Sequence, residues 1–182
     1  MFIKSEESEN NGVLQAANLI LLAIRTSPKS RGMDNIVTAV LTGREKDEFA
    51  MKMKSTGEEN NNGTFLRDAQ NVKDCAALIL AGTKLKSAGL KLCGFCGFAD
   101  CAELERNNGI CVYNPTDLGI ALGSAVSTAA LLKTDNRIMY TAGYTALKTK
   151  ILGDDVKIAF GLPLSVTGKN IFFDRNTRDV VK

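Results

Sequence analysis

Between Val13 and Ile24 apolar residues cover most of a helical wheel, which predicts a buried helix of the kind that packs at a subunit interface. Arg25 to Gly32 breaks it, since Pro28 and Gly32 punctuate a loop. Ile36 to Leu41 is a β-branched run and predicts a strand. Thr42 and Glu45 stand at capping-box spacing, so a helix is expected from there to about Lys54. Ser55 to Thr64, with Gly57, Gly63 and three asparagines, reads as a surface loop. Phe65 to Asp74 predicts a short helix, and Cys75 to Ala81 a second strand closed by Gly82.

The segment from about Leu92 to Tyr113 has no regular period and holds most of the cysteines. Asn114-Pro115-Thr116-Asp117 is a helix start signal, predicting a helix to about Lys133. Small residues at Gly119, Gly123, Ser124, Ala125 and Ser127 suit close approach to another element, most simply tight core packing. Tyr140 to Ile151 predicts a further helix and Val156 to Leu164 a third strand. This alternation gives a layered α/β or α+β domain. With 182 residues, no internal repeat and no long linker, the expectation is one domain over residues 1–182, carrying a cysteine-rich loop at 92–113.

Composition narrows the chemistry. A net charge of +3, no long basic run and 6% aromatics argue against nucleic acid as a partner. The longest apolar runs, Leu19 to Ile24 and Cys75 to Ala81, are far too short to span a membrane. The polar, acidic N-terminus lacks a signal-like stretch, so a cytoplasmic, reducing location is expected. His is absent, which excludes Ser-His-Asp hydrolysis and imidazole metal ligands. Four of the five cysteines fall within nineteen positions. In a reducing compartment such crowding favours metal or redox chemistry over disulfides.

Cys93, Cys96, Cys101 and Cys111 follow the spacing Cys-x2-Cys-x4-Cys-x9-Cys. Two intervening residues let one loop aim two sulfurs at one centre. Gly94 and Gly97 permit positive φ, turning backbone N–H groups toward inorganic sulfide. Phe95 and Phe98 are candidates to shield such a centre from water. These features point to an iron–sulfur cluster. The rivals are structural zinc, which typically uses two Cys-x2-Cys pairs where this chain has one, and unligated thiols. Cys75, inside an apolar strand, reads as a core residue.

The stretch Cys93-Gly94-Phe95-Cys96-Gly97-Phe98-Ala99-Asp100-Cys101 resembles the Cys-Gly-x-Cys-Gly-x3-Cys motif of four-iron cluster domains in electron-transfer subunits. Those domains place their fourth cysteine further along, so Cys111 departs from the pattern. Almost the whole chain resembles a family of small prokaryotic proteins described as containing a ferredoxin domain. The resemblance is carried by Ser27-Pro28-Lys29-Ser30-Arg31-Gly32, Phe65-Leu66-Arg67-Asp68-Ala69, the cysteine loop, Asp117-Leu118-Gly119-Ile120-Ala121-Leu122-Gly123, and Gly161-Leu162-Pro163-Leu164-Ser165.

The order of Ser27-Pro28-Lys29-Ser30, a strand, a small-residue helix near Asp117 and a strand ending in Gly161-Leu162-Pro163 is also similar to the flavin-dependent nitroreductases. That likeness implies an α+β layered sheet-and-helix domain with the cysteine loop inserted, a homodimer, and FMN at the subunit interface. The Arg-rich N-terminal segment of those enzymes has no counterpart, because residues 1–11 contain no Arg. Arg25, Lys29, Ser30 and Arg31 are the substitute phosphate contacts, with Lys169 as a second cation and Asn35 and Asn71 at a ring edge. The plainer alternatives are solvated loop charges and turn-capping asparagines. Asp34-Asn35 and Asp135-Asn136-Arg137 suit either buried hydrogen-bond networks or a polar pocket.

The function expected is therefore a redox protein passing single electrons to a partner protein, a flavin or a small-molecule acceptor. The alternatives are a non-catalytic metal-stabilised binding module, and an FMN-only flavoprotein with regulatory thiols.

Overall fold

The computed structural model describes residues 2–173. The order is α1 (Ser5–Thr26), a 3₁₀ turn (Ser30–Gly32), β1 (Ile36–Thr42), α2 (Gly43–Glu59), α3 (Gly63–Asp74), β2 (Ala77–Lys84), α4 (Cys101–Arg106), α5 (Tyr113–Leu131), β3 (Asp135–Asn136), α6 (Tyr140–Thr149) and β4 (Val156–Ser165). The four strands form one sheet in the order β1-β2-β4-β3, antiparallel throughout.

Both faces of this sheet are covered, which explains why β2 is an almost unbroken apolar run. Alternate side chains go to opposite layers. Leu78 and Leu80 join α2, α3 and α6 in one core. Ala77, Ile79 and Ala81 join α1 and α5 in the other. Leu78, Ile79 and Leu80 are all fully buried, each contributing roughly 1.5–3 kcal/mol relative to exposure. Helix α6 lies with its backbone against β4, and a Cβ added at Gly143 would come 1.7 Å from the Ala159 carbonyl oxygen.

Several boundaries differ from expectation. α1 begins at Ser5, not Val13, since its first two turns are exposed and lack the apolar stripe. α2 runs on to Glu59, through residues expected to be loop. Gly57 is in fact a helix–helix contact, where an added Cβ would lie 2.9 Å from Phe65 and Leu66 atoms. The Thr42 side chain makes no capping hydrogen bond. Instead Gly43 takes φ +51, a left-handed value, as the chain leaves β1. Gly119 and Gly123 face open space, while Ala121, Ala125 and Ala129 make the buried side of α5. Among the described residues no helix is long and apolar enough to cross a membrane.

Candidate redox site

Residues 85–112 form an excursion between β2 and α5, and the first turns of α5 tie it down. Asn114, buried, accepts from the Lys86 N–H at 3.3 Å and donates to the Lys86 carbonyl at 3.1 Å. Asp117, also buried, accepts from the Ser30 backbone N–H at 3.1 Å and the Ser30 hydroxyl at 2.8 Å. The next residue, Arg31, sits at φ 55 and donates to the carbonyls of Ala88 (2.8 Å) and Gly89 (3.2 Å). Thus α5 holds the cysteine loop directly through Asn114 and indirectly through Asp117, Ser30 and Arg31.

The loop itself is shaped by glycine. Gly94 (φ +69) and Gly97 (φ +84) take left-handed backbone values, and the Gly97 N–H closes a turn on the Gly94 carbonyl at 2.9 Å. Asp100 caps α4 by accepting from the Glu103 N–H at 2.7 Å, and Glu103 accepts from the Ala99 N–H at 2.7 Å. This reciprocal cap produces a helix inside a segment expected to be irregular. A small separate core follows, with Ala88, Leu104 and Cys111 buried and Leu90, Cys96, Phe98 and Tyr113 packed against them. Phe98 fits here because Gly109 has no Cβ, which would otherwise lie 2.6 Å from its ring. Phe95 does not shield anything: it is 75% exposed, and neighbouring Leu92 is fully exposed.

Cys93, Cys96, Cys101 and Cys111 all line one narrow pocket, with Phe98 and Tyr113 among its walls. Cys111 is buried, the other three are half-buried, and none is in a disulfide. Among the described residues, no three cysteine or acidic groups are poised to hold one metal ion. Four thiolates on a tetrahedral zinc, at about 2.3 Å from the metal, must crowd together. In a four-iron cluster each thiolate takes its own iron, and the donor set bordering this pocket is four cysteines. The Tyr113 phenol is pushed above its ordinary range, first by burial and then by the neighbouring Cys93, with smaller contributions from Cys111 and Asp117. Cys75 lies away from this pocket, buried in the α2–α3–α6 layer.

The expected flavin contacts are engaged within the chain. Arg25 pairs with Asp34 and donates to the Ile36 carbonyl at 3.2 Å. Lys29 donates to the carbonyls of Ile24 (2.8 Å) and Arg25, closing the C-terminal end of α1. Burial lowers Lys29 below the ordinary lysine range, partly offset by Asp34. Burial works to raise Asp34, but its hydrogen bonds to Arg25 and to the Ile36 N–H prevail and hold it below the usual carboxylate range. Asn35 is half-buried and its carbonyl accepts from the Lys84 N–H. Lys169 lies exposed after β4. Asn71 is on α3, in the layer across the sheet from α1, and so does not join the Arg25–Arg31 loop. Asn136 and Arg137 serve local structure, donating to Thr134 (3.1 Å) and Phe172 (3.2 Å) carbonyls. Tyr113 and Asn114 escaped sequence reasoning as site residues, although both stand within three positions of Cys111.

A family model described as "Uncharacterized protein containing a ferredoxin domain" matches residues 107–175, a span that includes Cys111 and α5 to β4. A protein of Archaeoglobus fulgidus, described as uncharacterized, is 37% identical over 96% of this chain and 98% of its own. The fold is similar to that of the nitroreductase CinD from Lactococcus lactis, solved in complex with nicotinic acid (TM-score 0.61, 14% identity, 98% of this chain and 87% of that one). It is also similar to an FMN-dependent nitroreductase from Clostridium difficile (TM-score 0.55, 14% identity, 98% and 84%). The domain is thus α+β with the nitroreductase fold, and the chain belongs to the family of proteins containing a ferredoxin domain.

Proposed function

We propose that this protein is a one-electron redox carrier that holds an iron–sulfur cluster of the 4Fe-4S type on Cys93, Cys96, Cys101 and Cys111. The observation that carries the reading is that four cysteines, distributed over a turn, a helix start and a returning strand of loop, border one pocket. A cluster held there supplies reversible one-electron transfer. Around it the chain has separate tasks. The Gly94–Gly97 turn, closed by the Gly97 N–H, leaves the Phe95 and Cys96 N–H groups to face sulfide. Phe98 and Leu104 keep water from one side. Asn114 and Arg31 fix the loop so that the thiols keep their places. The exposed Leu92 and Phe95 give a partner protein an apolar rim to meet.

A flavin-linked form of the same reading is supported by the fold, which a protein described as an FMN-dependent nitroreductase shares. Arg25, Lys29, Ser30, Arg31, Asn35 and Lys169 remain its phosphate and ring contacts. The first four would have to exchange internal hydrogen bonds for a phosphate. The protein works as a cytoplasmic homodimer in this reading.

Anaerobic purification followed by visible spectroscopy with iron, acid-labile sulfide, zinc and flavin analysis tests the proposal. Brown protein with equal iron and sulfide, bleached by dithionite, is expected. Each single Cys→Ser change at the four positions should lower iron content, and Cys75→Ser should not. Colourless protein with stoichiometric zinc would overturn the cluster.

A further inference from the structure

The cysteine pocket has a larger neighbour. A groove of about 720 Å³ runs between the 85–87 segment, the end of α4 and β4. That volume is typical of small-molecule sites. The two spaces share a wall made by Leu104 and Cys111. Of the four pocket cysteines, Cys111 alone also lines the groove.

Its lining divides into an apolar part and a cationic part. Leu85, Leu104 and Ile110 supply the apolar surface, and Ile110 is half exposed there although it lies beside the small core of the loop. Lys86 and Lys157 supply two positive charges. Among the described residues the Lys86 ammonium has no salt-bridge partner, and Lys157 donates to the neutral Asp154 carbonyl at 2.9 Å while its charge also acts on the Asp155 carboxylate. The nearby Asp155 carboxylate is taken by Lys84 at 2.6 Å. The one acid lining the groove, Glu105, accepts from the Ser87 hydroxyl. Asn114 has both ends of its amide committed to Lys86, so it stiffens the groove and does not compete for a ligand. The groove therefore offers an apolar bed with two lysine charges against the single Glu105 carboxylate in its lining, a net positive balance.

We infer that this groove binds a small organic anion with a flat apolar body, the ring resting on Leu85, Leu104 and Ile110 and the anionic group lying between Lys86 and Lys157. Such an occupant sits one side chain, Cys111, away from the cysteine pocket. Its role as an electron acceptor or donor rests on the cluster reading above, whereas its binding does not.

A sulfonated anthraquinone is the probe, with its uncharged hydroxymethyl counterpart as the control. Binding to the oxidised, as-purified protein is measured by calorimetry and by chemical-shift changes, with iron assayed on the same samples. The sulfonate should bind saturably, more tightly than the neutral ring, and perturb Ile110 and Asn108 while leaving Leu92 and Phe95 unmoved. Replacing both lysines (Lys86→Ala with Lys157→Ala) should weaken binding by about tenfold or more, and added salt should weaken it in the parent protein. Equal binding of the neutral ring, or undiminished binding in the double variant, would overturn the site. Binding without iron would retain the groove and remove the cluster; iron without binding would do the reverse.

Discussion

The hydroxyl of Tyr113 lies beside the sulfur of Cys93, where the first residue of α5 meets the first cysteine of the loop. A phenol next to a thiolate is a hydrogen-bond donor to it. Such a donor stabilises the reduced, more negative state of a cluster and so raises its potential. With the proposed cluster in place, Tyr113→Phe is expected to match the parent in iron and sulfide but to show a lower midpoint potential by protein-film voltammetry. An unchanged potential would mean that the phenol does not bond to the ligand sulfur.

Cys75 provides a titration in the core. Its sulfur lies 3.1 Å from the Val72 carbonyl oxygen and 3.2 Å from that of Ala77, and burial pushes the thiol from 9.0 to about 11. The folded chain then holds a proton that the unfolded chain has released. Stability from this group is complete below about pH 9, and is lost as pH rises from there toward about 11. The loss amounts to on the order of 2 kcal/mol. Denaturant titrations at successive pH values should show a steeper alkaline decline for the parent than for Cys75→Ala. Parallel declines in the two proteins would contradict this assignment.

The contact between α6 and β4 predicts the sign of two glycine substitutions. Gly143→Ala places a methyl group 1.7 Å from the Ala159 carbonyl oxygen, so the helix must move off the sheet. A loss of about 2 kcal/mol or more is expected in denaturant unfolding. Gly12→Ala, in the exposed part of α1 with nothing within 4 Å, should instead gain up to about 1 kcal/mol from helix propensity. If both variants lose stability, the close approach at Gly143 is not the cause.

The outer side of α1 leaves Leu14, Leu19 and Leu22 exposed, and Ile120 and Leu131 of the adjoining α5 are exposed too. A second copy of the chain is the expected cover. Light scattering after gel filtration should give twice the monomer mass for the parent. Leu19→Asp combined with Leu22→Asp should give the monomer with an unchanged far-ultraviolet spectrum.

Local pattern located the three long strands and every helix except α4. It failed where tertiary packing overrode composition. Gly57 is poor helix material, yet α2 continues through it because α3 needs a close approach at that point. α4 is hidden because the helix opened by its start signal at Asp100 and Glu103 is only six residues long, too short to show a helical period. The two-residue β3 carries too little sequence to have a period. At the site, the spacing led to the expectation that the four cysteines would gather, and they border one pocket. Their supports were not legible, because Arg31 and Asn114 look like ordinary polar residues until the fold joins them to Ala88, 57 residues away, and Lys86, 28 residues away.

Neither of the two large cores includes any residue from 85–112; that segment has a miniature interior of its own. The chain is in this sense a chassis bearing a separately packed cassette, pinned to it by Arg31 and Asn114. Stripping whatever the thiols hold takes no member from the main framework, so oxygen or a chelator should silence the molecule without melting it. A bleached preparation is then raw material for reloading, and a thermal melt is a poor gauge of whether it is charged.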